Sequence, residues 1–182
     1  ILRNVTLEVP AGGLVGLVGP NGAGKTTTLK SITGILPAAG GRIAFDGTDL
    51  GPVPGHRRAR LGIGYMPEDR RLIPTLTAED NVLLPAWASN LADGDRRLDY
   101  IYGLMPEVKA LAGRRASQLS GGQQKMVALA RALMSGTKLL LLDEPIEGLS
   151  PAMGEKLAGT IMALQRDGLS VLMAESDTKR VA

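Results

Sequence analysis

Eight consecutive residues, Gly19-Pro20-Asn21-Gly22-Ala23-Gly24-Lys25-Thr26, match the pattern glycine, any four residues, glycine, lysine, then serine or threonine. Each residue type has a physical reason to be there. Glycines lack a Cβ, so backbone N–H groups can turn inward and reach phosphate oxygens. A helix starting at the lysine would aim the positive end of its dipole at the same anion. Lys25 adds a mobile point charge for the β and γ phosphates, and the Thr26 hydroxyl can ligate Mg²⁺. Thr27, next along, is counted with the nucleotide-binding candidates.

Two further groups carry chemistry. Leu139-Leu140-Leu141-Leu142 leads into Asp143 and Glu144. The apolar run predicts a buried strand that ends beside the phosphate loop. There Asp143 could hold the hydration shell of Mg²⁺, and Glu144 could polarise an attacking water. Leu119-Ser120-Gly121-Gly122-Gln123 precedes a helical stretch and makes a second glycine-rich helix start, hence a second anion cradle. One chain has no need of two cradles for one string of phosphates. Two chains facing head to tail would use both.

The elements expected to hold these residues alternate strand and helix. Residues 5–9 alternate apolar and polar as a half-buried or edge strand, and 14–18 read as a fully buried strand running into the glycine loop. The helix at 25–36 is stopped by Pro37. Strands follow at 42–46 and Ile63–Met66. From 75 to 115 the spacing turns helical, clearest at 78–84 and 98–104, with Pro85 and Pro106 breaking it into pieces. Alternation then resumes: helix at 124–134, strand at 139–142, helix at 153–166, strand at 169–173. This order predicts an α/β fold with a mainly parallel central sheet and an antiparallel edge. One domain would fill 1–182, with its core at 1–70 and 116–182 and a helical subdomain inserted at 71–115. The chain opens at Ile1 without an initiator methionine and closes at Ala182 without a helix stop, so it reads as cut at both ends.

Composition excludes several chemistries. With no cysteine among 182 residues, disulfides, thiolate metal sites and cysteine nucleophiles are ruled out. A single histidine, His56, rules out a histidine-rich metal site. The formal net charge of +3 is mild, and the arginines fall in short clusters, so no nucleic-acid partner is expected. No apolar run approaches the ~20 residues needed to span a bilayer, so any membrane role would come through a partner.

Taken together, the glycine loop, the Asp143-Glu144 strand end and Leu119-Ser120-Gly121-Gly122-Gln123 closely resemble the ATP-binding cassette (ABC) ATPases, whose signature motif is L-S-G-G-Q. The resemblance covers essentially the whole chain and implies a P-loop NTPase. It implies that residues 19–26 bind ATP and Mg²⁺, that Asp143 serves the metal, and that Glu144 is the general base. Ser120, Gly121, Gly122 and Gln123 would face the γ-phosphate held by a second ATPase subunit, in a homo- or heterodimer. Residues 75–115 resemble the family's helical subdomain, whose groove receives a helix from an integral-membrane permease subunit.

Three departures from the family pattern bear on the site. The loop after Met66 usually offers glutamine; here Tyr65-Met66-Pro67-Glu68-Asp69-Arg70 offers Glu68, a candidate metal and catalytic oxygen that brings an extra negative charge. The loop after the acidic strand, Glu147-Gly148-Leu149-Ser150, lacks the family's usual aspartate. Ser176 stands where a switch histidine is expected, and it is the third catalytic candidate. The aromatic residue that stacks on adenine would lie upstream of Ile1. The runs around Glu68, Glu79 and Glu147 are similar to ATPase subunits of bacterial importers for branched-chain amino acids and their urea-type relatives. That likeness implies a peripheral protein on the cytoplasmic face of the plasma membrane, serving a permease and an upstream solute-binding protein. The alternatives are a soluble ABC ATPase acting on nucleic acid or the ribosome, and a nucleotide-binding regulator that does not hydrolyse.

Overall fold

Among the residues that the computed structural model describes, 4–177, four strands form one parallel sheet in the order β1 (Leu14–Val18), β6 (Ser170–Glu175), β5 (Leu139–Asp143), β4 (Ile63–Met66). The read chain ends at Ile1 and Ala182 lie outside these residues. A separate antiparallel pair joins β2 (Ala44–Phe45) to β3 (Thr48–Asp49).

The leucine run of β5 is interior because both faces of the sheet are covered. Leu140 and Leu142 enter one core cluster, while Leu139 and Leu141 enter the other. Period-two alternation therefore persists, with apolar partners on both sides. Each fully buried leucine is worth about 1.5–3 kcal/mol. The first cluster is covered by α3 (Ala78–Ser89), α4 (Gly94–Leu104), α6 (Gly121–Ser135) and α7 (Pro151–Arg166). The second contains Leu29 of α1 (Lys25–Thr33) together with Leu50. The short α2 (Gly55–Arg58) follows Leu50, and its buried Arg58 donates to the carbonyls of Ser31, Ile32, Leu50 and Val53.

Parallel strands gather their carboxyl ends at one edge. The register sets Val18 opposite Glu175, Asp143 opposite Ala174 and Met66 opposite Leu142. The loops that leave β1, β4, β5 and β6 are therefore neighbours, the usual ligand edge of an open parallel sheet.

Several local expectations are corrected. Residues 5–9 form no strand, although Leu7 and Val9 still pack on the second cluster. β1 is the sheet's edge in the described order and is only partly buried, not fully. α1 ends at Thr33 rather than Leu36, because Gly34 takes a left-handed φ of 75° and caps it before Pro37 is reached. A Cβ at Gly34 would come within 2.8 Å of Gly55 Cα. The strand expected at 42–46 shrinks to Ala44–Phe45.

Pro85 does not break the chain: it lies inside α3, whose buried residues Ala78, Val82 and Ala86 hold the helix in the first cluster. Packing there outweighs the missing N–H. Pro106 starts a helix, α5 (Pro106–Lys109), where its absent N–H costs nothing. The excursion carrying α3 to α5 is closed by an antiparallel bridge between Thr77 and Arg115. Trp87, near the end of α3, is 53% exposed.

Candidate functional site

The phosphate-loop candidates fold as their glycines demand. Gly22 and Gly24 have φ of 85° and 97°, and Gly24 is the N-cap of α1. A Cβ at Gly22 would meet nothing within 4 Å, so the loop faces open space. Ala23 N–H donates to the Pro20 carbonyl at 3.1 Å and tightens the turn. The Lys25 ammonium donates to the carbonyls of Gly19 (2.8 Å) and Pro20 (3.3 Å). It also lies 3.3 Å from Glu144 Oε1, close enough for an ion pair but not aligned as a hydrogen bond.

The two acids after β5 face different partners. Asp143 is 1% exposed and accepts from the Thr26 hydroxyl at 3.0 Å and the Tyr65 hydroxyl at 3.3 Å. Burial pushes the Asp143 carboxyl above its ordinary range, and those two hydrogen bonds offset only part of the rise. Burial also drives the Tyr65 hydroxyl well up, reinforced by the charge of Asp143, so it stays a donor. Glu144 then turns into the left-handed region with φ 47°. That conformation costs a non-glycine residue about 1–2 kcal/mol, and it ends the strand's alternation. Glu144 Oε2 accepts from the Ser176 N–H at 3.0 Å and the Ser176 hydroxyl at 3.2 Å. Burial pushes the Glu144 carboxyl up, but the Ser176 N–H, the neighbouring Glu175 and Lys25 outweigh it, leaving the carboxyl below its ordinary value. Glu144 is therefore an ionised acceptor at neutral pH.

A cleft of about 250 Å³ is lined by Asn21, Gly22, Gly24, Lys25, Thr26 and Thr27, with Glu68 and Glu144. Asp143 adjoins it through Thr26. Ser176 is brought to Glu144 and is not among the lining residues. Ser120, Gly121, Gly122 and Gln123 are not brought to this cleft either. They form the start of α6, where the Ser120 hydroxyl accepts from Gln123 N–H and the Gln123 side chain accepts from Ser120 N–H.

Sequence reasoning missed four residues that shape the site. Tyr65, in β4, carries no motif signal of its own, yet its hydroxyl donates to Asp143. Gln124 and Arg131 of α6 hold the segment after Glu68: Arg70 donates to the Gln124 side chain at 3.0 Å, and Arg131 donates to the carbonyls of Arg70 and Arg71. Lys125, 4% exposed, donates to the carbonyls of Glu144 and Glu147. Its signal was available, since a lysine heads an otherwise apolar helical face at Met126, Leu129 and Leu133.

The donor set fits a nucleotide with Mg²⁺. Thr26 and Asp143 offer hard oxygens 3.0 Å apart, and a divalent cation would compensate the buried carboxylate. Among the described residues, no cluster of three or more His, Asp or Glu could hold a metal by itself. One or two protein oxygens completed by phosphates is the usual way Mg²⁺ is bound.

The chain is similar to known proteins along nearly its whole length. A family model described as ABC transporter matches residues 2–147. The chain is 38% identical over 179 residues to the high-affinity branched-chain amino acid transport ATP-binding protein BraG of Pseudomonas aeruginosa, spanning 98% of this chain and 77% of that protein. It is 36% identical over 181 residues to the lipopolysaccharide export system ATP-binding protein LptB of Escherichia coli K12, spanning 98% and 75%. Among solved structures, a dimeric ATP-binding cassette in a post-hydrolysis state bound to ADP and Pi superposes with a TM-score of 0.87 at 29% identity, covering 98% of this chain and 81% of that one.

Proposed function

Because the chain belongs to the ABC transporter family of ATP-binding domains, and is thus an ATPase, we propose that it drives import of amino acids or related small polar solutes through a membrane permease, as one half of a head-to-tail dimer. The observation that carries the catalytic reading is the pairing of Thr26 with Asp143 and of Lys25 with Glu144 around one cleft. Residues 19–27 cradle the phosphates, with backbone N–H groups and the start of α1 directed at the anion. Lys25 neutralises the β and γ phosphates. Mg²⁺, held by Thr26 and Asp143 with Glu68 in reach, would supply charge neutralisation of the phosphates when bound. Glu144 accepts the proton of a water whose oxygen bonds to the γ-phosphorus; the bond to the β-phosphate oxygen breaks, and ADP and phosphate leave.

Ser120, Gly121, Gly122 and Gln123 are exposed or partly so at the start of a 15-residue helix, away from their own chain's cleft, which suits contact with a second subunit's γ-phosphate. The exposed Trp87 of α3 supports docking of the permease on residues 75–87 and the Glu68 loop. Among the described residues no helix is long and apolar enough to cross a membrane; the likeness to transport ATP-binding proteins supports attachment through a permease on the cytoplasmic face. The partner set includes a solute-binding protein on the far side. The likeness to LptB favours one second reading, in which the same cycle drives export. Reconstitution of the full-length chain with its permease in vesicles tests both. ATP-dependent accumulation of a branched-chain amino acid supports import, ATP-dependent efflux supports export, and normal transport with several residues of 75–87 changed to charge refutes the docking face.

A further inference from the structure

The helix that begins with Ser120 reaches back into its own chain's catalytic loop. Lys125 lies five residues after Ser120, roughly 7 Å along the helix axis, and its ammonium is buried at 4% exposure. It donates to the Glu144 carbonyl at 2.6 Å and to the Glu147 carbonyl at 2.5 Å. Those two carbonyls lie in the turn that leaves β5, where Glu144 holds a left-handed φ of 47° and Gly148, next after Glu147, one of 69°. A strained turn of this kind persists only where its surroundings over-determine it. Lys125 supplies a charge-assisted bond to each side of it. The same helix fixes the other loop at the cleft, through Gln124 and Arg131 on residues 70 and 71. Burial pushes the Lys125 ammonium below its ordinary value, with Arg70 adding to the fall and Glu147, Glu175 and Glu144 opposing it. A methylene-chain residue with no charge would fill this position without desolvation cost, so the lysine is not explained by packing alone.

We propose that Lys125 is a positioning residue for Glu144. It locks the carboxylate's backbone in the hydrolytic geometry and ties it rigidly to the Ser120 end of the helix, so that seating that end on a nucleotide and aligning the water-activating carboxylate are one event. This rests on Glu144 being the general base.

The test uses the full-length chain and steady-state phosphate release at 25 °C, with thermal melts to verify folding. Lys125→Met keeps the length and loses the donor. Its kcat should fall about ten-fold, while KM for ATP stays within two-fold. The ATP-bound dimer should become longer-lived by light scattering, because binding survives while hydrolysis slows. A folded Lys125→Met with wild-type kcat overturns the proposal. So does a loss of kcat matched by an equal rise in KM, which would mark general damage to the site. Lys125→Gln, a neutral donor, serves if the methionine variant is unfolded: an intermediate loss of kcat at constant KM supports the proposal, and wild-type turnover overturns it. Glu144→Gln is run alongside. If it leaves kcat intact, the assignment of the base fails; if it abolishes turnover and Lys125→Met does not slow it, only the positioning role fails.

Discussion

Glu144 Oε2 holds two hydrogen bonds from one residue, and the two can be separated. Ser176→Ala removes the hydroxyl at 3.2 Å and keeps the backbone N–H at 3.0 Å, while Lys25 still faces Oε1 at 3.3 Å. The carboxylate thus loses one of its nearby donors, and partly exposed Ser176 lets water replace it. A hydrogen bond of this kind is worth about 0.5–1.5 kcal/mol, which converts to a loss of roughly two- to twelve-fold in rate. Glu144→Gln is different in kind, because an amide cannot take the proton of water; a lost general base costs typically 10²–10⁴-fold. Turnover of the two variants, measured against the wild-type full-length chain as phosphate release at saturating Mg-ATP, should therefore differ between variants by at least about eight-fold. Equal damage from both would mean that Ser176 acts on the reacting atoms in its own right rather than through Glu144. If neither variant slows turnover, Glu144 is not the base.

Lys25→Ala should weaken ATP binding by about 10- to 150-fold, the equivalent of a charge-assisted contact of about 1.5–3 kcal/mol, and calorimetry with Mg²⁺ reads it directly. Gly64→Ala should destabilise the fold by about 1–3 kcal/mol or more, seen as a lower urea midpoint. A Cβ there would stand 2.2 Å from the Ala132 carbonyl oxygen and 2.8 Å from Gly136 Cα, both backbone. Tyr102 of α4 donates to Glu79 of α3 at 2.8 Å, and burial, then that bond, raises its hydroxyl pKa. A raised folded-state value means that the contribution is full below the unfolded phenol value near ~10 and is lost as pH rises above it. Melting temperature should accordingly fall across that alkaline range in the wild type and fall less in Tyr102→Phe.

What short stretches of sequence determined were features with local causes. The glycine loop follows from φ values that only glycine adopts freely, the start of α6 from reciprocal capping by Ser120 and Gln123, and β5 from four leucines in a row. The family, the parallel sheet and the membership of Lys25, Thr26, Asp143 and Glu144 in one site were legible because each depends on residue type at fixed spacing. What the tertiary structure alone decided depends on contacts between distant segments. Thr26 and Asp143 are 117 residues apart in the chain, and they meet only because β5 inserts between β4 and β6 in register. α3 runs on through Pro85 because its Ala78, Val82 and Ala86 are buried in the first cluster, and residues 5–9 fail as a strand although their alternation is intact. Most of all, the left-handed turn at Glu144 parts two adjacent carboxylates, sending one to Thr26 and Tyr65 and the other to Lys25 and Ser176. No local propensity favours that turn. Lys125, reaching across from α6, and Ser176, just past the end of the neighbouring strand, supply the bonds that make it the lower-energy state.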